Sequence, residues 1–402
     1  MGSLPAKEQF DHLTRNAAEV VPADELLEKI ERSVANGEPL RVKLGLDPTA
    51  PDVTLGWAVV LRKLREFQDL GHTAVLIVGD FTAQVGDPSG KSETRRRLSS
   101  DEVRGHAERL LDQFWRILDQ PRTEVRYNSE WLAPMGMEDI LRLTASYTVA
   151  RMLERDDFAK RFAENKPISV MEFLYPLLQG QDSVEVEADV ELGGTDQLFN
   201  LLVGRELQRH GGQEPQVAFT MPLLVGLDGV QKMSQSLGNY VGIAESASDI
   251  YGKLMSIPDG LMPRYFELIT RVPSAEVQEV LALHPMEAKK RLAHLVTAQY
   301  RGQAEADRAE EDFSRTFQQR LLPTHDQVEE VVVATGGRPA PIWLVLREAG
   351  LVPSNSEARR MVNQGAVAVD GNRIIDPNQV LAQGQPYLVR VGKRRFKRVV
   401  LR

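Results

Sequence analysis

The chain has 402 residues, 42% apolar and 26% charged, which is ordinary for a globular protein and enough for two or three domains. The absence of cysteine excludes disulfides, thiolate metal sites and a cysteine nucleophile, and the seven histidines show no metal-ligand spacing. No apolar run approaches the roughly 18–20 residues that span a bilayer, and residues 1–13 lack a signal-peptide hydrophobic region. We therefore expect a cytoplasmic protein with no membrane segment, no metal site and no tightly bound cofactor.

The charge is unevenly distributed along the chain. The net charge is −8, but residues 341–402 carry 11 Lys and Arg against 4 Asp and Glu, a net charge of +7. Residues 1–340 carry 38 against 53, a net charge of −15. A basic C-terminal segment indicates an anionic partner such as RNA, and a merely soluble basic surface is the plainer alternative.

The first half of the chain alternates strand and helix patterns. A first strand ends at the turn-rich residues 47–51, and a helix is predicted from about Leu55 to a stop at Gly71. Thr73–Val78 is a continuous apolar run, typical of a strand buried on both faces. This order predicts a right-handed crossover and an α/β fold with a doubly wound parallel sheet. The alternating apolar residues of the first strand are Leu40, Val42, Leu44 and Leu46.

Further along, apolar residues alternate from Val184 to Leu192 and predict another strand, with a helix beginning near Gln197. Residues 127–181 have a helical pattern and are interpreted as an insertion. After Tyr240 the pattern is all helical, including residues 286–304 and 306–319. The glycine- and proline-rich residues 336–341 predict a linker to a compact α+β unit, which ends in the basic run 392–398.

Four polar, glycine-bearing loops follow the predicted strands, at residues 47–57, 79–91, 193–197 and 226–236. In an open parallel sheet, ligands bind beyond the carboxyl ends of the strands. Each loop alone would be an ordinary turn, but four of them in one sheet predict a site for a small ligand and phosphates.

The order and spacing of these segments resemble the bacterial tyrosyl-tRNA synthetases, class I enzymes with a Rossmann-type core. The resemblance extends from about Leu40 to the end of the chain. It implies a catalytic domain at 1–240 with a helical dimerisation insertion at about 128–180. It further implies a helical anticodon-recognition-type domain at 241–335 and a small RNA-binding domain at 340–402. The matching motifs are GDPSGK (86–91), YPLLQGQD (175–182), GGTDQ (193–197), MPLLVGLDG (221–229) and KMSQS (232–236).

The resemblance implies a tyrosine pocket. Asp182 resembles the carboxylate that accepts the phenol hydrogen, while Tyr175, Gln179 and Asp87 resemble the groups that hold the α-ammonium, with Thr82 nearby. Tyr175, Gln179 and Asp182 are four and three residues apart, so they project from one helix face. The plain alternative is a set of solvated helix residues.

Other positions are assigned by the same resemblance. Gln197 and Asp196 resemble residues beside the substrate carboxylate and the ribose, and at Lys43 many relatives have a tyrosine close to the phenol, while others have lysine. ATP is expected as a substrate that brings Mg²⁺ with it, without a dedicated protein cage. The implied ATP-binding residues are Asp47, Thr49, Gly56, Asp196 and Lys232.

Both ATP signatures of the family are altered. The first, HIGH or HLGH, reads TLGW at 54–57, so both histidines are replaced, and the second, KMSKS, has lost its second lysine. A capping role is the simpler function for Thr54, and the bulk of Trp57 would obstruct ATP. Each lost donor typically costs about 10²–10³ in rate, so three could cost roughly 10⁴ or more, without strict additivity. The implied catalytic residues are Thr54, Gly56, Trp57, Lys232, Ser234 and Gln235.

Two basic regions are expected to contact tRNA, one after the phosphate loop and one in the C-terminal domain, through phosphate contacts largely independent of sequence. A solvated surface is the alternative for each. Residues 141–162 resemble the family's dimer surface, which predicts a homodimer, although their apolar positions could equally be internal core. The implied tRNA-binding residues are Lys91, Arg95, Arg96, Arg97, Arg359, Arg360, Lys393, Arg394 and Arg395.

Three functions follow from these patterns. The first is an ATP-dependent tyrosine–tRNA ligase, which would form tyrosyl-adenylate and transfer tyrosine to tRNA(Tyr), with slow or lost activation. The second is a catalytically inactive paralogue that binds tyrosine, tRNA(Tyr) or another structured RNA. The third is a repurposed enzyme acting on tyrosine or an analogue. The altered signatures favour the second and third functions, and the retained pocket and basic tail fit all three.

Overall fold

The computed structural model describes residues 4–86, 100–315, 328–336, 338–383, 385–392 and 395–402. The chain divides into two compact units, Met1–Asp307 and Arg308–Arg402. Within the described residues, no helix is both long and apolar enough to cross a membrane.

A six-stranded sheet forms the centre of the first unit, in the order β1-β6-β5-β2-β3-β4. Every pairing in it is parallel except that of β1 with β6, which confirms the predicted doubly wound sheet. The chain proceeds from β2 outward to β3 and β4, and from β5 outward to β6, so the strand order reverses between β2 and β5. The strands are β1 (Glu19–Val21), β2 (Arg41–Leu46), β3 (Thr73–Val78), β4 (Thr123–Tyr127), β5 (Val190–Gly194) and β6 (Val217–Met221).

Helices cover the sheet and form the segment after it. The predicted helix after β2 begins at Leu55, where Thr54 caps it, and the predicted insertion is helical. The helices up to residue 313 are α1 (Ala6–Leu13), α2 (Ala23–Asn36), α3 (Leu55–Asp69), α4 (Thr82–Val85), α5 (Ser100–Phe114), α6 (Ser129–Leu132), α7 (Met137–Ala145), α8 (Val149–Met152), α9 (Asp156–Ala163), α10 (Val170–Glu185), α11 (Leu198–His210), α12 (Ala247–Leu254), α13 (Met262–Ile269), α14 (Ser274–Leu281), α15 (Pro285–Arg301) and α16 (Gln303–Phe313). Short 3₁₀ turns occupy Gln120–Arg122, Thr195–Gln197 and Asp259–Leu261.

The strand predicted from Val184 to Leu192 is only partly correct. Val184 lies in the last turn of α10, and the strand begins at Val190. Glu187 has a φ of 48° and turns the chain between the two elements. Val186 and Ala188 are buried although neither lies in a strand. The alternation of apolar residues here therefore reflects burial and not an extended backbone.

The second unit is α+β, as predicted. Its five-stranded sheet has the order β10-β9-β12-β13-β7, and β8 pairs with β11. Asp370 and Gly371 both have positive φ, 49° and 84°, as a two-residue hairpin between β9 and β10 requires. The predicted linker at 336–341 lies inside this unit, between β7 and α17. The elements are β7 (Glu330–Val333), β8 (Ala340–Pro341), α17 (Ile342–Glu348), α18 (Asn355–Asn363), β9 (Val367–Val369), β10 (Asn372–Ile374), β11 (Val380–Leu381), β12 (Pro386–Val391) and β13 (Arg395–Leu401).

Candidate active site

A cleft of about 640 Å³ lies at the carboxyl ends of β2 and β5, where the strand order of the sheet reverses. This is the position expected for a ligand in a doubly wound sheet, and the volume is within the range of small-molecule sites. Asp87, Lys91 and Arg95–Arg97, which the sequence also assigned to function, lie outside the described residues. The predicted residues that line the cleft are Asp47, Thr49, Thr54, Gly56, Trp57, Thr82, Tyr175, Gln179, Asp182, Asp196, Gln197, Lys232, Ser234 and Gln235.

Asp182, on α10, lines the cleft. Its carboxylate is buried and accepts hydrogen bonds from Trp131 Nε1 at 2.9 Å and from Asn128 Nδ2 at 3.3 Å. Burial raises the pKa of Asp182 to about 7, although Lys43 and the two donors act to lower it. Neither Asn128 nor Trp131 was predicted, yet both closely follow the carboxyl end of β4, so the strand-end rule could have suggested them.

Asp47, at the end of β2, connects the other polar groups of this region. It accepts hydrogen bonds from Tyr175 Oη at 2.9 Å and from Thr82 Oγ1 at 2.7 Å. Asn128 Nδ2 also donates to Thr82 Oγ1 at 3.0 Å, which continues the network to Asp182. Asp47 therefore bonds directly to residues predicted to hold tyrosine, although the sequence placed it with the ATP-binding residues. A Cβ at Gly79 would collide with Asp47 and Thr82, so this loop needs glycine here.

A buried ion pair lies behind α10. Lys43 Nζ is 2.9 Å from Glu191 Oε1 and donates to Ser183 Oγ at 2.7 Å and to the Gln179 carbonyl at 2.9 Å. The Lys43 and Glu191 side chains are at most 1% exposed, and Glu191 also accepts a hydrogen bond from Gln216. These additional hydrogen bonds offset the cost of removing the two charges from water. Lys43 is thus not among the residues that line the cleft, and its ammonium holds β2, α10 and β5 together.

Asn200, on α11, is a third residue of the site that the sequence did not reveal. Its fully buried amide donates to Gln179 Oε1 at 3.1 Å and to Gln197 Oε1 at 3.0 Å. It therefore fixes the side-chain oxygens of two glutamines that both line the cleft.

The first altered signature lies at the start of α3. The Thr54 hydroxyl is buried and accepts a hydrogen bond from the Trp57 backbone nitrogen at 3.3 Å, which is an N-cap contact. The Trp57 indole stacks on Phe114, with ring centroids 6.4 Å apart, and is 38% exposed. At Gly56, a Cβ would contact the Met233 side chain at 3.5 Å, so the two signatures lie against each other.

The second altered signature is held by protein partners. Lys232 Nζ forms an ion pair with Asp196 Oδ2 at 2.6 Å. The Gln235 side-chain amide donates to the Asp52 carbonyl, in the segment before α3. Among the described residues that line the cleft, Lys232 is the only Lys, Arg or His, while three are aspartates. The described lining of this part of the cleft therefore offers a polyphosphate one cationic side chain, and that side chain is paired with Asp196.

Comparison with known proteins identifies the family. The family model for tRNA synthetases class I (W and Y) matches residues 35–318, and the model for the tyrosine–tRNA ligase SYY-like C-terminal domain matches residues 324–399. A tyrosine–tRNA ligase of Moorella thermoacetica is 52% identical over 97% of this chain and 95% of its own length. The chain belongs to the bacterial tyrosyl-tRNA synthetase family.

A second relative agrees with the family, and a solved structure agrees with the fold. A tyrosine–tRNA ligase of Carboxydothermus hydrogenoformans is 52% identical, with 98% of each chain covered. The solved structure of a tyrosyl-tRNA synthetase from Archaeoglobus fulgidus, complexed with L-tyrosine, has a TM-score of 0.61 and 23% identity. It covers 76% of this chain and 100% of its own, and at that identity it supports the synthetase fold alone.

The basic residues of the C-terminal synthetase domain already have partners within the second unit. The Arg359 guanidinium lies 4.9 Å from the centroid of the Trp343 ring, and Arg360 pairs with Glu357 at 2.7 Å. Arg395 donates to the Leu351 carbonyl at 2.6 Å. Lys393 and Arg394 lie outside the described residues. The exposed pair of Arg360 with Glu357 is weak, so Arg360 can exchange this partner for another.

Proposed function

We propose that this chain is a tyrosine–tRNA ligase with slow activation: it joins tyrosine to the AMP part of ATP and transfers the tyrosyl group to tRNA(Tyr). The observation that carries the proposal is the position of Asp182, a buried carboxylate that lines the same cleft as the two family signatures. The curated relatives that are 52% identical over nearly the whole chain bear the name tyrosine–tRNA ligase, which supports the same activity here.

Asp182 selects tyrosine by accepting the hydrogen of its phenol. Trp131 and Asn128 hold the buried carboxylate in place. Phenylalanine would leave this buried acceptor without its partner, a form of discrimination for which tyrosine-specific synthetases are themselves the standard example. Tyr175, Gln179 and Gln197 orient the amino acid, with Asn200 holding both glutamines.

Activation requires no side-chain nucleophile. The tyrosine carboxylate attacks the α-phosphate of ATP, a bond forms between them, and pyrophosphate leaves with its electron pair. Mg²⁺ would arrive with ATP and stay on its phosphates. Within the described residues there is no cluster of three or more side chains that could hold a metal ion. The protein contributes positioning and charge stabilisation, each lost donor of which costs about 10²–10³ in rate.

The slow step follows from the two signatures. The Thr54 hydroxyl caps α3, and the Gln235 amide donates to the Asp52 carbonyl. Neither side chain therefore replaces the histidine or the lysine that the family has at its position. Lys232 must leave Asp196 before it can meet pyrophosphate. These contacts also favour the second candidate, an inactive paralogue that binds tyrosine and RNA.

We also propose a homodimer built on the helical insertion. Five large apolar side chains project into solvent between residues 137 and 170, on α7, α8, α9 and the start of α10. Apolar exposure concentrated in this way is typical of an interface, and most such interfaces are twofold. The side chains and their exposed fractions are Met137 76%, Leu141 61%, Val149 62%, Phe162 64% and Val170 77%.

Charging of tRNA(Tyr) tests the function. The chain and its Asp182→Asn variant are incubated with ATP, Mg²⁺, labelled tyrosine and tRNA(Tyr), and label bound to RNA is counted. Slow charging by the parent that is abolished in the variant supports the ligase. Tyrosine binding without charging supports the inactive paralogue, and the absence of both contradicts the proposal.

A further inference from the structure

Glu191, on β5, is a buried carboxylate whose two oxygens face four donors. Oε1 accepts a hydrogen bond from Gln179 Nε2 at 3.1 Å and lies 2.9 Å from Lys43 Nζ. Oε2 accepts from Ser183 Oγ at 3.0 Å and from Gln216 Nε2. A carboxylate paired with an ammonium can only accept hydrogen bonds, so the end of Gln179 that meets Glu191 must be its nitrogen.

This constraint passes from Gln179 to Asn200, on α11. Because the Gln179 nitrogen meets Glu191, the Gln179 oxygen is left for Asn200, whose amide nitrogen donates to it at 3.1 Å. The same nitrogen donates its second hydrogen to Gln197 Oε1 at 3.0 Å. The Asn200 oxygen is buried and has no hydrogen-bond partner among the described residues, so the two glutamine oxygens decide how this amide is oriented.

Close packing of α10 against α11 holds this series of hydrogen bonds together. A Cβ at Gly180 would lie 3.3 Å from the backbone of Gly204. A Cβ at Gly204 would lie 2.5 Å from Gln216 Nε2 and 3.3 Å from Glu191 Oε2. A side chain at either glycine would therefore push the helices apart and separate Glu191 from its donors.

Gln197 is the last amide of the series, and it lines the cleft. Its oxygen is held by Asn200, so its nitrogen is the end that can donate to a ligand. A donor at this position suits the carboxylate of a ligand and not an ammonium group. A glutamine amide can by itself present either end, so its orientation here comes from Glu191 through Gln179 and Asn200.

We propose that Glu191 and Asn200 are positioning residues that make the cleft select an amino acid over the corresponding amine. They do so by fixing the Gln197 amide with its nitrogen toward the substrate carboxylate. Neither residue is among the described residues that line the cleft, so both act through the glutamines. This rests on the proposed function, because tyrosine must bind in the cleft for Gln197 to meet its carboxylate.

Isothermal titration calorimetry with tyrosine and tyramine tests this selection. Tyramine has the phenol and the ammonium group of tyrosine but lacks the carboxylate, so the ratio of the two affinities measures recognition of the carboxylate. The parent protein should bind tyrosine more tightly than tyramine. Asn200→Leu keeps the approximate shape of the side chain but donates no hydrogen bond. The ratio should then fall about tenfold, the contribution of one hydrogen bond to a charged group.

A second variant removes the origin of the series without leaving a charge unpaired. In Lys43→Met combined with Glu191→Gln both charges are lost, and neutral replacement of a buried pair is often tolerated. The new amide can present either end to Gln179, so the orientation of Gln179 is no longer imposed and the affinity ratio should again fall. Any effect on the phenol end of the pocket acts on tyrosine and tyramine alike and cancels in the ratio.

Gln208→Met is the matched control. Gln208 is also a fully buried amide on α11, but its hydrogen bonds go to backbone groups and it is not part of the described lining of the cleft. A purely structural effect of losing a buried amide should change both affinities equally, so the ratio should stay at the parent value.

An unchanged ratio in folded Asn200→Leu would overturn the proposal, as would a parent protein that binds tyramine as tightly as tyrosine. Circular dichroism during thermal unfolding shows which variants are folded, and if Asn200→Leu is not, the double variant decides by the same criterion. Tyrosine binding by the parent separates the two levels of inference. If the parent does not bind tyrosine, the proposed function fails; if it binds tyrosine and the ratio is unchanged in the variants, only this proposal fails.

Discussion

Tyrosine binding should depend on pH through Asp182, and replacing this residue should remove the dependence. Burial raises the pKa of Asp182 from 3.8 to about 7, so the carboxyl group is protonated below neutral pH in the free protein. The tyrosine phenol donates a hydrogen bond, which favours the ionised acceptor. Binding below about pH 7 therefore releases a proton, and affinity should rise with pH until the free protein is itself ionised.

The size of the change in tyrosine affinity follows from comparing an ionised acceptor with a neutral one. A hydrogen bond to a charged group contributes about 1.5–3 kcal/mol and one to a neutral group about 0.5–1.5 kcal/mol, a difference of roughly 1.4 kcal/mol. The dissociation constant for tyrosine should thus fall about tenfold between about pH 5.5 and about pH 8, with most of the change below pH 7. In Asp182→Asn the acceptor cannot ionise, so the affinity should be lower at neutral pH and flat across the range.

Calorimetry in buffers of different ionisation enthalpy measures both the affinity and the proton release. Phenylalanine is the ligand control, because it lacks the hydroxyl and should show no rise in affinity with pH. A flat profile in the parent protein would refute the reasoning. So would a parent slope that survives in Asp182→Asn, since the titrating group would then lie elsewhere.

Three other results are expected. Glu191→Gln leaves Lys43 buried without its counter-charge and should lower the free energy of unfolding, measured in urea, by about 3–5 kcal/mol. The control Glu206→Gln, in an exposed pair, should change it by less than about 1 kcal/mol, and equal effects of the two variants would contradict this. Phe162→Asp should convert dimer to monomer by analytical ultracentrifugation at unchanged secondary structure, and a persistent dimer would place the interface elsewhere. Arg359→Glu should weaken tRNA binding and make its salt dependence shallower by about one ion, and an unchanged salt slope would exclude a phosphate contact.

The sequence predicted elements where local pattern and burial coincide. Thr73–Val78 has only apolar side chains after its first residue, so a strand covered on both faces is the simplest structure that buries it. Asp370-Gly371 allows the two positive φ values that its hairpin needs. The 4-and-3 spacing of Tyr175, Gln179 and Asp182 placed them on one helix face, and the structure has all three lining the cleft.

Contacts between distant segments were not predictable. Asn128 and Trp131 closely follow the end of β4, which marks them as candidates for the site, but nothing local marks them as partners of Asp182, which is 54 and 51 residues away in the chain. Glu191 stands between two apolar strand residues, and only the fold reveals that Lys43 neutralises it. The alternation from Val184 to Ala188 predicted a strand wrongly, because the turn that follows the end of α10 buries Val186 and Ala188 as a strand would have.

The central claim is that an intact tyrosine pocket is joined to a weakened activation site. Tyrosine-dependent ATP–pyrophosphate exchange tests it most directly, on the parent protein and on a variant with Thr54→His, Trp57→His and Gln235→Lys combined. The account predicts exchange in the restored variant that exceeds the parent rate by roughly 10⁴-fold, less if the three groups act as a unit. Equal rates in the two proteins would contradict it, because the altered signatures would then cost nothing.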